Sequence, residues 1–176
     1  WVGVMTALST ALLVRASFTE RVLEELAELW GNVSFMGFSS VICSREQTAE
    51  FLEKVWARDR KSLPSQFGVI SRDDHRLIGY CGFFLQSVDD IEELEIGYRI
   101  HPEFWNRGIA TEAARAVRDH AFEDLRLARV ISLIHPDNIA SCRVAEKNGM
   151  IPEKQTVFRG FPVIVFAILR EKGNGA

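Results

Sequence analysis

The chain has 176 residues, 47% hydrophobic and 26% charged, enough for one globular core spanning residues 1–176 and too short for a second sizeable domain. A formal net charge of -3 and a pI near 5.9 give no basic bias, which argues against nucleic acid or an anionic membrane as the main partner and suits a cationic acceptor. Cys43, Cys81 and Cys142 are odd in number and lie in apolar or helical contexts, as expected of reduced thiols in a cytoplasmic protein rather than a disulfide framework.

The opening run WVGVMTALSTALLV is apolar but too short to span a bilayer, Arg15 ends it, and it lacks the basic lead of a signal peptide. Because the chain starts at Trp1, Met5 is read as the natural start, and the first strand is expected near residues 11–15 after a loose lead. Two helices follow. Ser17-Phe18-Thr19-Glu20 and Ser44-Arg45-Glu46-Gln47 each fit a capping box, and each precedes an apolar stripe: Val22, Leu23, Leu26, Ala27 and Trp30, then Ala49, Leu52, Val55 and Trp56. Residues 31–43 between them form a loop whose Phe35, Met36 and Phe38 must be covered by the domain itself, a partner subunit or a substrate.

Residues 67–71 and 77–85 read as a β-hairpin, with Gly79 and Gly82 marking a bulge or a close approach. Asp89, Asp90, Glu92 and Glu93 crowd the next connection, which is either a solvated loop or an attractor of a protonated amine. The central stretch, residues 92–114, reads EELEIGYRIHPEFWNRGIATEAA. Alternation puts Leu94, Ile96, Tyr98 and Ile100 on one strand face and Glu95, Gly97 and Arg99 on the other. A helical period then starts at Ala110, with Ala113, Ala114, Val117 and Ala121, so Gly108 stands at a helix entrance. The free N–H groups there can hold a phosphate if nothing bulky intervenes, although a glycine before a helix also serves as a plain turn. Residues 129–134 form a strand, residues 140–148 a short helix stopped by Gly149, and residues 154–170 two strands around Arg159-Gly160.

FWNRGIATEA, preceded by EIGY, resembles the coenzyme A loop of the GNAT superfamily of acyl-CoA N-acyltransferases, with Arg107-Gly108-Ile109-Ala110 matching the end of the pattern. Trp105, in place of Gln or Arg, is similar to the RimJ/RimL branch that acetylates ribosomal-protein N-termini. NIASCRVAEKNGM, residues 138–150, resembles the second GNAT motif, with Met150 in place of Phe. The resemblance covers about the whole chain. It implies an α/β GNAT fold, a mixed twisted sheet of about six or seven strands with helices on both faces, and acetyl-CoA as co-substrate.

It also implies roles. Arg107, Gly108, Ile109, Ala110 and Thr111 take the pyrophosphate, and Asn138 meets the pantetheine arm, though an Asn there also caps a helix. Acyl transfer requires deprotonation of the amine, and Glu95 occupies the general-base position of several members; Glu92 or Glu93 acting through water is the alternative. Oxyanion donors are implied where the strand carrying Glu95 bulges, around Tyr98 to Ile100. Many members protonate the thiolate from a late-helix Tyr, but Ala145 stands at that place, which leaves Ser141 for the sulfur unless it bonds only to its own backbone. The four His and three Cys lack metal spacings, so no metal is implied. The resulting expectation is an N-acetyltransferase acting on a protein N-terminus or a small amine such as a polyamine, amino acid or aminoglycoside. The rival is a GNAT module that binds acyl-CoA without turnover. A homodimer through the C-terminal strands or the Phe35 loop is a further expectation.

Overall fold

Alternating and 3.6-residue apolar periods build one mixed sheet flanked by helices. The structure is a computed structural model that describes residues 4–7, 11–15, 20–38 and 42–171, with side chains described at Ala11 and from Glu20 onward. In chain order the elements are β1 (Val4–Ala7), β2 (Ala11–Arg15), α1 (Glu20–Trp30), α2 (Val33–Met36), α3 (Arg45–Arg60), β3 (Gln66–Ser71), β4 (Leu77–Val88) and β5 (Ile91–Ile100). A 3-10 turn at Pro102–Phe104 leads to α4 (Ile109–Glu123), β6 (Arg129–Ile134), α5 (Ile139–Lys147), β7 (Ile151–Phe158) and β8 (Phe161–Leu169).

The eight strands lie in the order β1-β2-β3-β4-β5-β6-β8-β7. Every neighbouring pair is antiparallel except β5 and β6, which are parallel and joined through α4. The mixed α/β class is as expected. The sheet holds more strands than the six or seven expected, because residues 4–7 of the supposed loose lead pair with β2 as β1.

Strand alternation divides the interior into two layers. Ile96 and Ile100 face Ala113, Ala114, Val117 and Ala121 of α4, with Leu94 and Tyr98 packed against the same cluster. On the other face Val22, Leu23, Leu26 and Trp30 of α1 pack with Leu52 of α3 and with Ile70 and Leu77 of β3 and β4. Glu95, Gly97 and Arg99 therefore point to the α1–α3 side, as their spacing predicts.

Local signals account for the ends of these elements. Ser44 caps α3 with both bonds of the capping box; Ser17 lies outside the described residues. Trp56 departs from its expected core position: it is 38% exposed at the rim of the α3 stripe, and the Arg60 guanidinium lies 3.9 Å from its ring centroid. The loop expected at residues 31–43 contains α2, capped by Asn32, whose Oδ1 accepts from the N–H groups of Ser34 and Phe35 at 2.9 and 3.1 Å. Phe35 and Met36 are consequently buried in the protein's own core, while Phe38 stays exposed.

The acidic connection is also shorter than expected. Asp89 and Asp90, both at positive φ, make a two-residue turn, and Glu92 and Glu93 already belong to β5. Asp90 and Glu92 are exposed, as a solvated connection predicts, but the other two carboxylates are not simply solvated. Glu93 accepts from Arg129, which also holds Glu153 of β7, and Asp89 binds Lys154 and Thr156. Gly79 and Gly82 fulfil both expectations placed on them. Register shifts beside Gly79, and a Cβ on Gly82 would lie 2.5 Å from the Ser65 carbonyl oxygen and 2.6 Å from the Gln66 Cα. Since backbone cannot retreat cheaply, Gly82→Ala is expected to lower stability by about 1–3 kcal/mol, read by chemical denaturation. A variant as stable as the wild type would show that β3 and β4 tolerate separation here.

Candidate active site

The site begins where two strands part. β5 and β6 pair at one position only, Glu95 with Ile131, and past it Ser132 Oγ donates to the Ile96 carbonyl at 2.7 Å in place of a ladder bond. Beyond that point the facing edges of the two strands are open, and main-chain groups on such edges are available to a ligand that runs between them. The ladder between β5 and β4 keeps its register from Gly79–Ile100 to Val88–Ile91. The donors expected around Tyr98 to Ile100 thus come free not through a bulge but through the divergence of β6.

A cavity of about 650 Å³ opens at this split. Of the residues singled out in the sequence, Glu95, Tyr98, Asn138 and Ser141 line it together. The loop from Arg107 to Thr111 and Ile100 do not: the loop sits at the N-terminus of α4, and Ile100 is in the core, its carbonyl accepting from Trp105 Nε1 at 2.7 Å.

Glu95 is partly buried at the cavity wall. The Phe84 ring lies over Gly97, where a Cβ would come within 2.7 Å of it, and so covers the approach to the carboxylate from that side. Gln86 Nε2 donates to Glu95 Oε2 at 2.7 Å, and Arg159 Nη2 donates to Gln86 Oε1 at 3.1 Å. The carboxyl pKa is nonetheless raised above the usual 4.5: burial disfavours the charged form more than the Gln86 bond, the Leu133 backbone N–H and the charge of Arg159 favour it. Glu92 is exposed and Glu93 is engaged by Arg129, so neither shares this environment.

The loop before α4 has the geometry its sequence suggests. Asn106 and Gly108 adopt positive φ, 60° and 80°, and nothing lies within 4 Å of where a Gly108 Cβ would be. The first helical bond runs from Glu112 N–H to the Gly108 carbonyl, leaving the amides of Ile109, Ala110 and Thr111 without intrahelical acceptors. Arg107 is exposed, its guanidinium 5.0 Å from the Phe104 ring centroid. This donor set and open approach suit an anionic phosphate.

On the other side of the split, Asn138 caps α5 through Oδ1, which accepts from Ser141 N–H at 3.1 Å, so its amide NH2 is left for the cavity. Tyr98 Oη donates to the Ser141 carbonyl at 3.2 Å, and burial pushes the phenol pKa up, so it stays protonated. Ala145, at the place of the usual tyrosine, is in the core. Gln86, Arg159 and Phe84 were not singled out in the sequence, and Arg99 was placed on the face of Glu95 without a role. They reach the site from β4, the β7–β8 turn and the outer face of β5, and only β5 carried a recognisable motif.

The acetyltransferase (GNAT) domain family model matches residues 12–151. The chain belongs to that family. The uncharacterised Bacillus subtilis protein YkkB is 32% identical over 143 residues, covering 78% of this chain and 80% of that one. Among solved structures, a GNAT-family acetyltransferase from Bacillus anthracis superposes with a TM-score of 0.75 at 26% identity, over 93% of this chain and 96% of that one. RimL, a ribosomal L7/L12 α-N-protein acetyltransferase solved in complex with coenzyme A, shares the fold with a TM-score of 0.74 at 17% identity, over 96% and 98% of the two chains. The protein is an acetyl-CoA-dependent acetyltransferase.

Gly108→Glu puts bulk and negative charge at the end of α4. Acetyl-CoA affinity in calorimetric titration is expected to fall tenfold or more, about 1.4 kcal/mol. Unchanged affinity would place the phosphates elsewhere.

Proposed function

We propose that the protein transfers an acetyl group directly from acetyl-CoA to a primary amine, either a protein N-terminal α-amino group or a small-molecule amine, with Glu95 as general base. The observation that carries this is the Glu95 carboxylate, raised in pKa and fixed at the wall of a cavity that opens where β5 leaves β6.

Acetyl-CoA supplies the thioester whose acyl carbon is attacked. The chain's own groups do the rest. An alkylamine is protonated at neutral pH, so Glu95 takes a proton before or during attack, and its raised pKa makes it a better base than an ordinary carboxylate. Open backbone N–H groups of β5 beyond Glu95 stabilise negative charge on the carbonyl oxygen without reorganising. Asn138 and the amides of Ile109, Ala110 and Thr111, with Arg107, orient the co-substrate. Ser141, on the cavity wall at the start of α5, donates a hydrogen bond to the departing sulfur, which takes up the second proton that the amine nitrogen loses as the tetrahedral intermediate collapses to the amide.

Two outcomes follow from the state of Glu95. The native carboxyl keeps its proton to higher pH than the unfolded one, so the native state binds more protons from about 4.5 upward to the raised value, and stability falls as pH rises through that window. Glu95→Gln removes this loss. It should raise the thermal midpoint at pH 7 while lowering kcat by about 10²–10⁴; full activity in the variant would exclude Glu95 as the base. Gln86→Leu deletes a hydrogen bond to the charged form and should move the acid limb of the kcat/KM profile to still higher pH. An unmoved limb would mean that Gln86 does not tune the carboxylate.

A further inference from the structure

The acceptor end of the cavity has a chemical bias that the family does not specify. Its walls are apolar and aromatic: Trp30, Phe51, Tyr80 and Phe84 on one side, Phe158 and Phe161 on the other. The Trp30 and Phe51 rings pack at a tilt with centroids 4.7 Å apart, and Tyr80 lies 6.1 Å from Trp30 and 6.3 Å from Phe51.

The wall's ionised side chains are one carboxylate, Glu95, and two guanidiniums, Arg99 and Arg159. Arg99 donates to the Met36 carbonyl at 3.1 Å. Arg159 makes no ion pair among the described residues. Its guanidinium is steadied by the neutral Gln86 amide and by the Phe158 ring, 4.9 Å from centroid to Cζ, and most of its five N–H donors remain for a ligand. His135, Tyr80, Tyr98 and Cys43 are the remaining titratable groups around the cavity.

A polyamine or aminoglycoside would bring further positive charge against the Arg159 guanidinium. A zwitterion would not. One amide group and two hydrogen bonds, 2.7 and 3.1 Å long, separate the Glu95 carboxylate from the Arg159 guanidinium. An α-amino acid carries its amine and carboxylate on a single carbon, so hydrogen bonds from its two ends can reach both groups, with the side chain left to the aromatic walls. Deepening the proposed function, on which it rests, we infer that the acceptor is a free α-amino acid with a large apolar or aromatic side chain, its carboxylate held by Arg159 and its amine presented to Glu95.

The test uses three amines differing only at the carboxylate: L-phenylalanine, L-phenylalaninamide and 2-phenylethylamine, with spermidine and an uncharged N-terminal peptide as competitors. Release of free CoA thiol gives kcat and KM, and calorimetry of each amine with the CoA-loaded protein reads binding without turnover. Phenylalanine should exceed the amide, phenylethylamine, spermidine and the peptide at least tenfold in kcat/KM. Because losing the Arg159 charge also raises the Glu95 pKa and so slows every amine, Arg159→Met is compared by the calorimetric affinities: it should weaken phenylalanine binding tenfold or more and that of the other two aromatic amines less than threefold, and Arg159→Lys should restore part of the loss. Equal or better turnover of the amide, spermidine or peptide overturns the inference, as does an Arg159→Met variant that weakens all three aromatic amines alike. If phenylalanine binds in an Arg159-dependent way but no amine releases CoA, the acyl-transfer reading falls and the acceptor site stands. If phenylalanine does not bind, the inference falls whatever the enzyme turns over.

Discussion

The arrangement of the site depends on β5 and β6 being fastened at one end and apart at the other. Arg129 at the start of β6 holds Glu93 of β5 and Glu153 of β7, and the single Glu95–Ile131 pair follows. Past that pair, Ser132 Oγ donates to the Ile96 carbonyl, an acceptor that the parting strand does not reach. Two parallel strands joined by a crossover helix have no turn to hold them in register, and the clamp at their base supplies that constraint. The opening exposes main-chain groups of β5 and faces the cap of α5. One departure from regular pairing thereby creates the cavity.

Glu95 shows what such a site costs the fold. A carboxylate beside the Phe84 ring is poorly solvated, and the Gln86 amide and Leu133 N–H return only part of what water would give. The same deficit raises its basicity, so the feature that weakens the folded state is the one on which the proposed function draws. Gly97 belongs to this economy, because any side chain there would expel the Phe84 ring from its place beside the carboxylate.

Much of the fold was legible in the chain because short-range periods express it. The strand at residues 129–134, the two strands around Arg159-Gly160, the Ser44 capping box and the two faces of β5 all follow from patterns that span a few residues. Where longer contacts intervene, the sequence misled. Trp56 continues a helical stripe yet lies at the rim under Arg60, and two of the four carboxylates around the β4–β5 turn, Glu93 and Asp89, find Arg129, Lys154 and Thr156, which are far away in the chain.

The same division holds for the site. Glu95 on the face opposite Leu94 and Ile96, Gly108 at a helix entrance and Asn138 at a helix cap are set by local backbone chemistry, and the sequence by itself determined them. Which cluster shares a cavity, that Glu95 meets Gln86 and Phe84 from β4, and that Arg159 closes the set from the β7–β8 turn were decided only by tertiary structure. The reason is physical: the order of strands in a sheet and the register between them are fixed by the packing of the whole sheet against its helices, and a single strand's pattern carries no record of its neighbours.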